Sequence, residues 1–289
     1  TSDADGLASW AIPAVVSVNK IIDADANTKI QVEKNANEDI IRFDLAGTEK
    51  WVMQGSRLEP KNTGNSVFIG EGAGAVDDLT NNQNVFIGFQ SGNANTQGEY
   101  NTALGVTSLL RNNTGHSNTA FGLSAMFLNT TGFENVANGK DALYSNSSGN
   151  FNTATGKLSL AFNVTGSNNV ANGNIAGNGN VTGSNNTFLG NAADANASNL
   201  DNVTAIGNGA IVNASNKVQI GNNLIDAVQL GTGANVTLET GLVKITGGTP
   251  GVGKVLTSDA DGLAGWEAGA ANVREIADEF SATANQTTF

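Results

Sequence analysis

The chain has 289 residues, of which only 14% are charged and 6% aromatic; glycine numbers 36, cysteine is absent, and the formal net charge is −12. That balance excludes a disulfide framework and thiolate metal sites, and it repels nucleic acid and anionic membrane surfaces. So little charge also argues against plain disorder and fits a repeat architecture, in which stacking between units replaces one globular core.

Residues 1–10, TSDADGLASW, return as residues 257–266, TSDADGLAGW, with Ser9 matched by Gly265. Asp3-Ala4-Asp5-Gly6 and Asp259-Ala260-Asp261-Gly262 begin like a calcium loop. The twelfth place of such a loop requires Glu and here holds Ala14 and Ala270, so both read as turns, with Leu7/Trp10 and Leu263/Trp266 as apolar anchors. The duplication reads as a joint between modules, residues 1–20 ending a preceding unit, which makes the chain one link of a longer fibre. No run of 18 apolar residues and no signal-peptide pattern occurs in it.

Residues 21–62 form a separate β module. Ile30/Val32 and Ile41/Phe43/Leu45 alternate as strands do, with polar turns at Asn35–Asp39 and Gly47–Glu49. Small strands at this place would cap a repeat whose open end invites aggregation.

Residues 63–224 carry the repeat. A glycine closing a short apolar run recurs at Gly70, Gly88, Gly105, Gly122, Gly139, Gly156, Gly173, Gly190, Gly207 and Gly221, at spacings of 18, then 17 seven times, then 14. Alternation just before it, as in Asn118-Thr119-Ala120-Phe121-Gly122, predicts a short strand. Two before the glycine the column is mostly Ala, and three after it Ser or Ala; two small columns facing each other imply a thin, flattened coil. Asn seven past the glycine (Asn95 to Asn180) and Gly ten past it (Gly98 to Gly183) read as corners with positive φ. Asn four before it (Asn84 to Asn186) predicts stacked amide ladders. The fold class is therefore all-β: a parallel β-solenoid or β-roll of about 17-residue coils stacked at ~4.8 Å, a rod of roughly 43 Å.

These columns resemble the head repeats of YadA-like trimeric autotransporter adhesins, whose unit reads Asn-Ser-Val-Ala-Ile-Gly-x-x-Ser/Ala. Asn65-Ser66-Val67-Phe68-Ile69-Gly70 and Asn202-Val203-Thr204-Ala205-Ile206-Gly207 are close copies, and Asn216-Lys217-Val218-Gln219-Ile220-Gly221 a weaker one. The resemblance covers residues 63–223 and implies a left-handed parallel β-roll, a homotrimer and a role in surface attachment. The usual family period is nearer the 14 between Gly207 and Gly221, and neither a heptad stalk nor a membrane-anchor barrel is present, so the secretion route does not carry over.

Four central coils carry large residues four and five past the glycine: Leu109-Leu110, Met126-Phe127, Leu143-Tyr144 and Leu160-Ala161. Packing would put one column inside the roll and the other in a seam between chains; the alternative is an exposed adhesive stripe. Beyond the roll, residues 225–256 read as a β transition with strands at Val228–Leu230, Val236–Leu238 and Leu242–Ile245. Residues 257–289 hold the second joint and the start of another module, where Val273, Ile276 and Phe280, with Asn272 and Glu275 as a capping box, suggest a short helix over 272–280, the first strand of that module being the alternative.

Chemistry is sparse. His116 is the sole histidine and has none of the partners that a triad or a metal site needs. Asp77-Asp78 reads as a solvated corner, and Gly70-Glu71-Gly72-Ala73-Gly74 lacks the Lys-Ser/Thr of a phosphate loop. Asn-x-Thr/Ser sequons such as Asn163-Val164-Thr165 arise from the repeat itself. No catalytic, cofactor-binding or metal residue is assigned, and an enzyme is not expected. The expected function is a structural or adhesive segment of an extracellular trimeric fibre, its partners being its own copies and a surface receptor or glycan. A tail fibre of a phage or contractile injection system is one alternative. Another is a flat face presenting Thr102, Thr119, Thr153 and Thr187 to ice or polysaccharide.

Overall fold

The computed structural model describes residues 20–22, 28–32, 40–54, 56–61, 64–225, 228, 254–258 and 264–268. All regular structure among them is strand. The chain divides into two compact units, Thr1–Val228 and Gln229–Phe289.

The first unit opens with an antiparallel meander of β1 (Lys20–Ile22), β2 (Lys29–Val32), β3 (Ile40–Leu45), β4 (Thr48–Gln54) and β5 (Arg57–Pro60), paired in chain order. The β3–β4 turn falls at Ala46–Gly47 rather than Gly47–Glu49. Both residues have positive φ, 51° and 74°, which matches the twist of the flanking strands in a two-residue hairpin and lets Thr48 and Glu49 join β4. Lys29 pairs with Asp44 at 3.1 Å and Arg42 with Glu49 at 3.0 Å. The expected turn at Asn35–Asp39 lies outside the described residues.

The repeat then forms a parallel β-solenoid of about nine turns. One strand per coil enters a ten-stranded parallel sheet: β6 (Val67–Ile69), β7 (Val85–Ile87), β8 (Thr102–Leu104), β9 (Thr119–Phe121), β10 (Val136–Asn138), β11 (Thr153–Thr155), β12 (Val170–Asn172), β13 (Thr187–Leu189), β15 (Thr204–Ile206) and β17 (Val218–Ile220). Between the last of these, β14 (Asp194–Ala195) and β16 (Ile211–Val212) form a second parallel pair. Register advances by one repeat per coil, so Ala120 sits between Ala103 and Ala137. The central strand residue points inward and is fully buried, as at Ala103, Ala120, Ala137, Ala154 and Ala171.

That inner column is small but the coil is not empty. Where it is alanine, at positions 103, 120, 137 and 154, the residue six further on is Leu109, Met126, Leu143 or Leu160, each fully buried. Where it is phenylalanine, glycine faces it. A Cβ on Gly74 would lie 2.6 Å from the Phe68 ring, and one on Gly92 2.5 Å from Phe86. A Cβ on Gly177 would lie 2.5 Å from the Phe188 ring of the following coil. Large is matched with small across the coil, which keeps the interior filled at constant cross-section.

The interior is also polar along two lines. Asn84, Asn101, Asn118, Asn135, Asn152, Asn169 and Asn186 are buried in one ladder. Each Oδ1 accepts the backbone N–H of the next rung, for example Asn135 N–H to Asn118 at 3.0 Å, and each Nδ2 donates to a turn carbonyl, as Asn135 does to Gly149 O at 2.9 Å. The column seven past the glycine is a second buried ladder and not a corner of positive φ. Asn112, Asn129, Asn146, Asn163 and Asn180 each donate Nδ2 to the Oδ1 of the rung before, at 2.7–3.0 Å, and to the carbonyl of the glycine three residues on. Those glycines have no positive φ either. They are required because a Cβ on Gly115 would collide with Asn112 Oδ1 and with the carbonyl of Gly132.

Positive φ falls instead on bulky residues, among them Leu109 (52°), Met126 (53°), Leu143 (50°) and Leu160 (48°). The left-handed conformation costs about 1–2 kcal/mol at a residue with a Cβ. It is held here by the buried side chain and by N–H bonds to the next coil, such as Met126 to Ala142 O at 2.9 Å.

In the second unit, β18 (Lys254–Ser258) and β19 (Ala264–Ala268) form an antiparallel pair that sets Leu256 opposite Trp266. Val228 lies outside any strand. The strands expected at 236–238 and 242–245, the helix at 272–280, both Asp-Ala-Asp-Gly turns and the first copy of the joint lie outside the described residues.

Asn135→Ala would strand the Asn152 N–H inside the coil, an orphan that costs about 1–3 kcal/mol, while the Gly149 carbonyl keeps Asn146 Nδ2 as a donor. Urea unfolding should show a loss of about 2 kcal/mol, against well under 1 kcal/mol for the exposed neighbour change Val136→Thr.

Candidate interaction surfaces

The outer face of the ten-stranded sheet is built by the residues on either side of the inward column. One row is Val67, Val85, Thr102, Thr119, Val136, Thr153, Val170, Thr187, Thr204 and Val218; the other is Ile69, Ile87, Leu104, Phe121, Asn138, Thr155, Asn172, Leu189, Ile206 and Ile220. Neither row contains a charge. Ile69, Leu104, Phe121, Val136, Val170, Leu189, Val218 and Ile220 are each at least 40% exposed. Strands alternate because one face packs the coil, yet this outer face keeps β-branched and aliphatic residues where a solvated sheet would carry polar ones. Thr102, Thr119, Thr153 and Thr187 stand in the first row, interleaved with valines, and so form no continuous threonine surface.

The stripe of the central coils splits in two. Leu109, Met126, Leu143 and Leu160 are fully buried inside their own coil, so they can meet neither a ligand nor a second chain. Leu110, Phe127 and Tyr144 lie on the outside and are half-buried, Phe127 and Tyr144 stacking at 5.0 Å between ring centroids. Leu128 is half-buried beside them and Phe162 is 55% exposed, so this side of the solenoid has its own apolar patch. Sequence reading missed Phe162 because it lies six residues past its glycine, one place beyond the stripe, in a column that elsewhere holds Arg111, Leu128 and Ser145.

His116 is exposed, with Nδ1 3.4 Å from Ser117 Oγ, and it stacks on Phe133 at 4.9 Å, which in turn meets Phe151 edge-on. Among the described residues no carboxylate lies within ion-pair distance of it, so no acid orients the ring toward Ser117. Among the described residues no three His, Cys, Asp or Glu side chains cluster as a metal site, and no helix is long and apolar enough to cross a membrane.

Asp78 is exposed, but Asp77 is not the solvated residue that the sequence suggests. It occupies the first rung of the second ladder, where its Oδ2 accepts Asn95 Nδ2 at 3.0 Å and Asn84 Nδ2 at 3.2 Å, and its Oδ1 accepts Leu79 N–H at 2.9 Å. A rung with no coil before it has no acceptor for an amide N–H, and a carboxylate has no N–H to place. Asn112, Asn129, Asn146, Asn163 and Asn180 all begin Asn-x-Thr/Ser sequons, and the ladder buries every one.

Asp194 stands where the central coils have leucine or methionine. Burial pushes its carboxyl above the ordinary value of 3.8, opposed by the N–H groups of Ala195 and Gly179, both at 2.8 Å. A carboxyl raised on folding favours the folded state when protonated, so its contribution to stability is present below about pH 3.8 and is lost as pH rises through the raised value. Asp194→Asn should therefore melt higher than the parent at pH 7, with the difference closing near pH 3.5; thermal melts across that range check it.

Compared with known proteins, the chain matches no family model, no curated protein and no solved structure.

Proposed function

We propose that this chain is a structural and adhesive segment of an extracellular homotrimeric fibre, with the solenoid acting like the head of a YadA-like adhesin. The observation that carries the reading is the uncharged outer face of the ten-stranded sheet, running from Val67 to Ile220. A surface that is uncharged over every coil and carries exposed aliphatic side chains along its length calls for a partner equally long and equally periodic. A parallel copy of the same chain supplies one, rung against rung. Three copies around a common axis close such a face without leaving an open edge for further growth. Asn138, Thr155 and Asn172, near the middle of the face, would then meet their own counterparts and hydrogen-bond across the axis. A tail fibre would use the same rod, and the Val interruptions of the threonine row weigh against ice binding by it.

Light scattering or native mass spectrometry should give three times the mass of one chain, and a stable monomer at micromolar concentration would sink the reading. Phe121→Asp, on the exposed face, should reduce the assembly to monomers while the strand signal in circular dichroism persists.

A further inference from the structure

One row outside the sheet face changes chemistry along the rod. Directly after the glycine that closes each strand come Glu71, Phe89, Val106 and Leu123, then Lys140, Lys157, Asn174, Asn191 and Asn208, and last Asn222. The five from Lys140 to Asn208 are all exposed. Lys140 and Lys157 are two of the three cations between residues 88 and 207, the third being Arg111. Lys140 lies 3.5 Å from Asp141, and Lys157 has no carboxylate within ion-pair distance among the described residues. The three asparagines are tied to one another on the surface, Asn174 Nδ2 to Asn191 Oδ1 at 3.0 Å and Asn191 Nδ2 to Asn208 Oδ1 at 2.9 Å.

Those bonds fix each amide plane and leave hydrogen-bonding capacity turned outward on every rung, already ordered before any ligand arrives. The rungs repeat at ~4.8 Å, close to the advance of one sugar unit in an extended glycan. Lysines on consecutive rungs would repel their own copies in a self-paired seam, so from Lys140 onward this row faces solvent even in the trimer. An adjacent cation pair and three pinned amides in one line match a ligand that is itself linear, anionic and rich in hydroxyls.

We propose that the row from Lys140 to Asn208 binds an extended acidic polysaccharide, a polyuronate lying along the coil axis, with carboxylates on Lys140 and Lys157 and hydroxyls on Asn174, Asn191 and Asn208. This rests on the attachment role proposed above and names its ligand class. Isothermal titration of the whole chain with hexagalacturonate, and with cellohexaose as the uncharged counterpart, tests it. The charged hexamer should bind, more weakly as salt rises, and the uncharged one should bind at least about tenfold more weakly. The double variant Lys140→Gln/Lys157→Gln should lose about tenfold in affinity, and Asn191→Ala should weaken binding at every salt concentration, while Lys217→Gln leaves it unchanged. Failure of the parent to bind, equal binding of the uncharged hexamer, or wild-type affinity in the double variant would each overturn the proposal. Mass measured on the same samples separates the two ideas: a trimer that does not bind sinks the polyuronate row alone, and a monomer that binds sinks the assembly and supports the row.

Discussion

Everything in the solenoid depends on the side-chain amide of asparagine standing in for backbone. Most turn N–H groups of a 17-residue coil bond backbone carbonyls, but in the central coils the N–H four residues before each glycine and the carbonyl ten residues after it find no backbone partner. Buried groups of that kind must be paired. The two asparagine ladders pair them: each amide bonds once along the stack, and both ladders donate Nδ2 to the same glycine carbonyl, fourteen or three residues further along the chain. The turns are thereby pinned from inside, while buried side chains and backbone N–H bonds to the next coil hold the left-handed backbone at Leu109, Met126, Leu143 and Leu160 that would not persist alone.

Packing follows from that frame. Because the ladders fix the coil outline, the volume left for apolar side chains is constant. It is shared between the inward strand residue and the residue six further on. Phe with Gly and Ala with Leu or Met are two solutions of one equation, and the stack uses both. The outer surface is then free of structural duty, and its chemistry varies by row: uncharged on the sheet face, aromatic on the opposite side, basic and amide-rich just past the corner.

The repeat, the strand before each glycine and the parallel stack were legible in sequence because period and alternation are local signals. So was the first ladder, since an asparagine column adjoining a strand has few other uses. The second ladder was not. Asn95 and its successors sit beside glycines, and Asn near Gly reads as a corner until the chain is seen to bury it. Asp77 was hidden for the same reason: a carboxylate in an asparagine column announces an end only once the direction of the amide bonds is known. That the stripe would divide into an inner and an outer column was legible; that Leu109–Leu160 go inside and Leu110, Phe127 and Tyr144 stay out needed the left-handed φ, which no residue type there signals. A covariation did lie in the sequence unread, the exchange of Phe/Gly for Ala/Leu between coils.

The ladder that starts at Asp77 and runs to Asn180 has a beginning, a repeating middle and a finish that make different demands on sequence. Between those ends every rung receives and gives the same bonds. Whole coils could therefore be gained or lost by unequal recombination without a compensating change at either terminus. Length in such a rod is a quantised, nearly neutral character, whereas a deletion of part of a coil would break both ladders at once.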